Sequence, residues 1–338
     1  MLSPAPVIIG HRGAPGYRPE HTSASYRLAF ALGADAVEPD VVASKDGVLV
    51  VRHENEISTT TDVASRSEFA HLRTTKRVDG VERTGWFTED FTWAQLSTLR
   101  AVERLPRLRQ ASSTFDGRYP LMRLSELFDL VDRESERHGR SLGLVVELKH
   151  ATYFERLGLP LDELFAAELR DSAWNVGSDR LVVESFERTV LGQVRARGAR
   201  GRFVYLIEAS GAPYDRVARD GRAARTYAQD IDGAGLYALA TAGGHDAVDG
   251  ISVNKTLLMD AAADGANDLV DRAHGVGLQI FCWTLRPENS FLAKPFRRGK
   301  HPESFGDWPR AFQLLMSSGV DAVFADHPDL AVVARDAL

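Results

Sequence analysis

Two histidines, two carboxylates and an arginine stand within the first 53 residues, each at or near the end of a short apolar run. Val7-Ile8-Ile9 runs into Gly10-His11-Arg12-Gly13, the run from Ala36 to Val42 carries Glu38 and Asp40, and Val48 to Val51 delivers His53. Glu38 and Asp40 are two apart, so on a strand their side chains share a face. There they repel unless a proton or a cation lies between them. Taken alone, the pair also suits an exposed face that binds arginines of a neighbouring helix. Val145-Val146-Glu147-Leu148-Lys149 repeats the pattern, with Glu147 and Lys149 on one face of an apolar strand. Three carboxylates without a Cys/His ligand set suit one hard divalent cation, Ca²⁺ ahead of Mg²⁺, and not zinc.

A lone histidine at a strand end usually makes a structural hydrogen bond. Two beside carboxylates can serve as base and acid near neutral pH, and His11 and His53 are read in that way. Arg12 presents a planar donor fork to a phosphate oxygen, or else pairs with Glu20 or Glu38. Glu20, in Arg18-Pro19-Glu20-His21-Thr22, is either an acceptor behind the site or a charge at a helix start. Phe186 and Trp283 end apolar strands, where an aromatic either packs in the core or flanks a choline-like head group through a cation–π contact. Lys255, at the end of another run, reads as a solvated lysine.

These residues need strands to hold them. Candidates are Val7–Ile9, Ala36–Val42, Val48–Val51, Leu142–Leu148, Leu181–Ser185, Phe203–Ile207, Gly250–Val253, Gln279–Thr284 and Ala322–Phe324. Several are apolar almost throughout, as strands buried on both faces are, and helical segments separate them, the pattern of a parallel β/α fold. Thr22 caps a segment with Ala24, Leu28 and Ala31 on one face and Gly33 at its end. Leu124, Leu127, Phe128 and Val131 follow helical spacing up to Gly139, and Asp307 caps a helix with Phe312, Leu315 and Met316 inward and Gly319 as its stop. The strand candidates outnumber the staves of an eight-stranded barrel by one. Ala43-Ser44-Lys45-Asp46-Gly47 is too short for a crossover, so one of the segments flanking it is a local partner.

Length allows one barrel-type domain over 1–338 or two ordinary domains. The pattern breaks over 55–120, a polar, threonine-rich stretch too long for an ordinary loop; it is read as a small insertion capping the barrel mouth. A second long connection, 286–308, overhangs the same end. Net charge is -6 with no basic tract, which argues against nucleic-acid binding. The single cysteine, Cys282, excludes an intramolecular disulfide. No apolar run approaches a membrane span. The start MLSPAPVIIGHRG shows no signal peptide, which suggests a cytoplasmic protein as written, or a secreted or periplasmic one if a leader was removed.

His11-Arg12-Gly13, Pro19-Glu20-His21-Thr22, Glu38-Pro39-Asp40, Lys45-Asp46-Gly47 and the strand into His53 resemble the glycerophosphodiester phosphodiesterase family. The likeness continues through Glu147-Leu148-Lys149, Glu184-Ser185-Phe186, Cys282-Trp283-Thr284 and Val320-Asp321-Ala322-Val323-Phe324-Ala325-Asp326. The stretch from Thr84 to Phe91 resembles the longer bacterial, periplasmic-type branch; His21 stands where the common motif has Asn, as that branch also tends to have. The resemblance implies a TIM (β/α)8 barrel and a divalent ion held by Glu38, Asp40 and Glu147. It implies acid/base roles for His11 and His53, with Arg12 and Lys149 near the phosphate. The expected reaction is metal-dependent hydrolysis of glycerophosphodiesters, such as glycerophosphocholine or glycerophosphoethanolamine, to glycerol 3-phosphate and an alcohol. In the working hypothesis the glycerol 2-hydroxyl attacks first, giving a cyclic phosphate that water opens. Rival readings are a phospholipase D-like enzyme acting on lysophospholipids and a polyol-binding barrel whose site has decayed.

Overall fold

The computed structural model describes residues 5–170, 172–176, 179–263 and 268–338. Its strands, in chain order, are β1 (Val7–His11), β2 (Ala36–Glu38), β3 (Asp40–Ala43), β4 (Leu49–Val51), β5 (Thr74–Val78) and β6 (Val81–Gly85). They continue with β7 (Gly143–Leu148), β8 (Leu181–Ser185), β9 (Arg202–Ile207), β10 (Gly250–Asn254), β11 (Gln279–Leu285) and β12 (Ala322–Ala325). β1 lies between β12 and β2, β2 pairs with β7, and β7 to β12 follow in sequence order, all parallel. The ring therefore closes as an eight-stranded parallel barrel with helices outside.

Strand periodicity explains both the core and the site. Ile8, Val37, Val146, Val183, Tyr205, Ile280 and Val323 face outward into one large core shared with the helices. Ile9, Ala36, Val145, Val182, Val204, Phe281, Ala322 and Phe324 form a separate cluster inside the barrel. Each fully buried Val or Ile contributes roughly 1.5–3 kcal/mol, a reserve that offsets the buried charges above it. The next inward position lies two residues further along each strand. On β1, β2, β7, β8 and β11 it is occupied by His11, Glu38, Glu147, Glu184 and Trp283, at the C-terminal end where barrel enzymes place their chemistry.

The surplus strand is β4. Pro39, which has no N–H, interrupts the run between β2 and β3. β3 passes beyond the rim, pairing Asp40 with Glu147 and Val41 with Leu148. After the turn at Gly47, β4 returns antiparallel with Val51 opposite Val41. Two residues later the chain is back at the level of Pro39, and there it presents His53.

The helix Ser23–Ala31 is capped by Thr22 as expected, but its buried face is Ser25, Tyr26, Ala29 and Phe30, not Ala24, Leu28 and Ala31. This rotation sets small Ala29 against Gly10 and brings the Tyr26 hydroxyl 2.7 Å from His21 Nδ1. The helix Leu124–His138 buries Leu124, Leu127, Phe128 and Val131 and ends at left-handed Gly139. The helix Trp308–Met316 buries Phe312, Leu315 and Met316, but the Asp307 side chain does not cap it; Arg298 holds that carboxylate at 2.5 Å.

The stretch between β4 and β7 contains the β5–β6 hairpin, whose turn residues Asp79 and Gly80 have φ of 49° and 80°. These strands expose seven of their ten residues and bury only Val78 and Gly85, so no hydrophobic alternation announced them. Phe87, Phe91, Leu96 and Leu99 tie the same stretch into the large core. Among the described residues no helix is long and apolar enough to cross a membrane.

Candidate active site

The turn after β1 is built on glycines. A Cβ on Gly10 would lie 2.6 Å from the Gly13 carbonyl oxygen, and one on Gly13 would lie 2.5 Å from Ser25 Oγ. Arg12 between them has a left-handed φ of 57°, a conformation that costs a non-glycine residue of order 1–3 kcal/mol. It is held there because its N–H donates to the Glu38 carbonyl at 3.0 Å and to Glu38 Oε2 at 2.9 Å.

Glu38, Glu147 and Glu184 each offer a carboxylate oxygen, and the three lie within 4.8 Å of one another. Glu147 and Glu184 are directly opposite across β7 and β8. Asp40 adjoins this cluster but is already engaged: Lys149 Nζ is at 3.1 Å, Arg12 Nε at 3.3 Å, and His21 donates from Nε2 at 2.9 Å. Lys149 also reaches Glu147 at 2.7 Å. Burial would raise the Asp40 carboxyl, but Lys149, His53 and Arg12 hold it well below the usual range. The others go the opposite way. Burial, with Asp40 beside it, pushes Glu38 well above the ordinary carboxyl value. Glu184 is raised by burial and by Glu147, and burial lifts Glu147 to about 8 against the pull of Lys149. Glu38 Oε1 and Glu184 Oε2 are buried without a hydrogen-bond partner. An all-oxygen cluster with bare buried acceptors and too little positive charge fits a hard divalent cation.

Each histidine is backed by a carboxylate. His11 Nδ1–H donates to Asp326 Oδ1 at 2.6 Å, and His53 Nδ1–H donates to Glu54 Oε1. Because a carboxylate only accepts, both rings carry the proton on Nδ1 and leave Nε2 bare. Burial, reinforced by Arg12, lowers His11 to about 4 despite Asp326. Burial, Arg12 and Lys149 hold His53 well below its usual value. Asp326 is ionised: burial opposes this, but Arg286, Arg109 and His11 prevail.

His11, Arg12, Glu38, His53, Glu147, Lys149, Glu184, Phe186, Trp283 and Arg286 line one cavity of about 330 Å³. His53, Glu147, Lys149 and Phe186 also line an outer cavity of about 290 Å³, walled by Asp79, Arg83, Glu187, Glu208, Tyr214 and Tyr227. Phe186 and Trp283 meet edge to face at 5.7 Å. Of the candidates from the sequence, Glu20 and Asp40 line neither cavity. The Glu20 carboxylate is consumed by Arg12, Arg104 and Arg52 at 3.2, 2.6 and 3.5 Å, so it stands behind the site. Lys255 is not solvated: its Nζ donates to the Phe291 carbonyl at 2.8 Å.

Sequence reasoning gave no role to Glu184, Glu54, Asp326 or Arg286. For Glu184 the signal was present, a carboxylate inside the apolar strand Leu181-Val182-Val183-Glu184-Ser185. Asp326 follows the last apolar strand in the same way. Glu54 and Arg286, in irregular segments, had no comparable mark.

Residues 11–330 match the model of the glycerophosphoryl diester phosphodiesterase family. The chain is 29% identical to glycerophosphodiester phosphodiesterase GDPD6 of Arabidopsis thaliana, over 95% of this chain and 83% of that one. It is 30% identical to the glycerophosphodiester phosphodiesterase of Treponema pallidum, over 56% of this chain and 53% of that one. Among solved structures, a phosphodiesterase of Oleispira antarctica in complex with the product sn-glycerol-3-phosphate superposes with a TM-score of 0.60 at 19% identity, covering 98% of this chain and 97% of that one. A Silicibacter pomeroyi protein described as a candidate member of this enzyme class gives 0.69 at 22% identity, covering 99% and 94%. These likenesses confirm the barrel, and the match across nearly the whole sequence settles the family: the chain belongs to the glycerophosphoryl diester phosphodiesterase family.

Proposed function

We propose that the chain hydrolyses glycerophosphodiesters, glycerophosphocholine and glycerophosphoethanolamine among them, to glycerol 3-phosphate and the free alcohol. The observation that carries this reading is the meeting of two histidines, each held through Nδ1 by its own carboxylate, with an oxygen-only anionic cluster in one cavity. The Oleispira antarctica structure with sn-glycerol-3-phosphate shows a barrel of this shape holding the expected product.

Glu38 and Glu147, flanked by Asp40 and Glu184, would hold one divalent cation, with Ca²⁺ favoured by a cluster made only of carboxylates. When bound it would supply positive charge to offset that of the phosphodiester as it redistributes. Arg12 and Lys149 share that task and orient the phosphate. Both imidazoles are neutral in the free enzyme, so a bare Nε2 can take the proton of the attacking hydroxyl. The substrate anion beside the other ring favours its imidazolium, which then holds the proton for the departing alkoxide. We assign the first attack to the glycerol 2-hydroxyl: its oxygen bonds to phosphorus, the bond to the alcohol breaks, and a cyclic phosphate remains. Water then opens the ring with the two imidazoles exchanging roles. The outer cavity receives the alcohol. Its aromatic walls and the Glu208 carboxylate suit a cationic head group. We read the 55–120 stretch as a cap over the mouth, since it supplies Asp79 and Arg83 to that outer wall.

The test is glycerol 3-phosphate release from glycerophosphocholine beside turnover of lysophosphatidylcholine. The reading expects the first to be the better substrate; preference for the lysolipid would overturn it.

A further inference from the structure

We propose that the short segment carrying Arg104 and Arg109 positions both catalytic histidines at once, one arginine behind each carboxylate. Arg109 Nη2 lies 2.5 Å from Asp326 Oδ2, while the other oxygen of that carboxylate accepts from His11 Nδ1. Its Nε donates to Glu288 Oε1 at 2.8 Å, which fixes the guanidinium plane. Arg104 donates from Nη1 and Nη2 to the two oxygens of Glu54 at 2.9 and 2.7 Å, and Glu54 accepts from His53 Nδ1. Its Nε and Nη2 also donate to Glu20 at 2.8 and 2.6 Å. The segment is itself braced: Glu103 accepts from Ser112 Oγ at 2.5 Å and from the Leu105 N–H at 2.9 Å.

Neither arginine lines either cavity, so neither touches the substrate; both act through carboxylates. A carboxylate on a flexible side chain can rotate away from an imidazole. A guanidinium fork bonded to it fixes its plane and keeps it ionised. The imidazole is then confined to the tautomer with Nε2 bare. Arg286, from the other overhanging segment, also donates to Asp326 Oδ2, at 2.6 Å, so the His11 side has two clamps where Glu54 has Arg104.

This inference rests on the phosphodiesterase reading, and the test separates the two. Kinetics on glycerophosphocholine would be measured for wild type, R104A, R109A, E54Q, D326N and the doubles R104A/E54Q and R109A/D326N. Each arginine variant is expected to lose at least tenfold in kcat with KM within about threefold. Each double should be no more than about twofold slower than its carboxylate single. Effects that multiply in the doubles, or an unchanged kcat, would overturn the proposal. R104K and R109K serve if the alanine variants fail to fold, with smaller losses in the same pattern. Imidazole ¹⁵N resonances decide the matter without turnover. R104A should move the His53 ring and spare His11, and R109A the reverse; rings that stay unmoved would contradict the clamp even if the natural substrate proves to be another diester.

Discussion

His11 Nδ1 and Asp326 Oδ1 are 2.6 Å apart in space and 315 positions apart in the chain. β1 and β12 close the barrel side by side, with Gly10 opposite Ala325, so the residues just past each pair at the mouth. Closure of the barrel therefore also brings the His11–Asp326 pair together.

Removing either imidazole should cost far more in turnover than in binding. H11A and H53A are each expected to lower kcat by about 10²–10⁴, with KM within a few-fold. Steady-state kinetics on glycerophosphocholine checks this; a variant that keeps more than a tenth of wild-type kcat would remove its histidine from the proton transfers.

The carboxylates can be ranked by cation binding. E38Q and E147Q should each weaken Ca²⁺ affinity at least tenfold by isothermal titration. Comparing E184Q with D40N then decides how far Asp40 gives up Lys149 and Arg12 to bind the ion. A larger loss in E184Q would place Glu184 in direct contact, and a larger loss in D40N would place Asp40 there. Calcium binding undisturbed in all four variants would put the ion elsewhere.

An analogue of glycerophosphocholine lacking the glycerol 2-hydroxyl should be turned over at least a hundredfold more slowly than the parent. Undiminished hydrolysis, followed by choline release, would eliminate the cyclic route and make water the first nucleophile.

Glu103 should leave a mark on stability against pH. Burial raises its carboxyl to about 7, outweighing Ser112, the Leu105 N–H and Arg109. Between its unfolded value, about 4.3, and 7, the folded state binds the proton more tightly, so this group's contribution to stability falls as pH rises through that window. Urea titrations at pH 5 and pH 8 should show E103Q gaining on wild type at the higher pH by up to about 3 kcal/mol. A difference that does not change with pH would mean the carboxyl titrates normally.

Much of this architecture was legible in the chain because burial on both faces writes itself as unbroken Val/Ile/Leu runs, and a charge inside such a run stands out. His11, Glu38, Asp40, His53 and Glu147 stood out in that way, and the runs themselves gave the parallel β/α fold, while the eight-stranded barrel came from the family resemblance. What stayed hidden depends on pairing between distant segments. Nothing local says that the Glu20 carboxylate turns to Arg104, or that Asp326 reaches His11 across a closed ring. The inner face of the helix Ser23–Ala31 was misplaced because Tyr26 is buried for its hydrogen bond to His21, and Ala29 for its fit against Gly10, neither of which is a matter of spacing. The β5–β6 hairpin escaped because its strands are solvated on both faces; only Asp79-Gly80 marked the turn.

The most direct test follows glycerol 3-phosphate release from glycerophosphocholine by wild type and E38A, each with added Ca²⁺ and with excess chelator. Wild type should turn over with Ca²⁺, fall at least a hundredfold with chelator and recover when the ion is restored, while E38A stays inactive throughout. Equal rates for wild type and E38A, unaffected by chelator, would contradict a carboxylate-held cation working beside paired imidazoles.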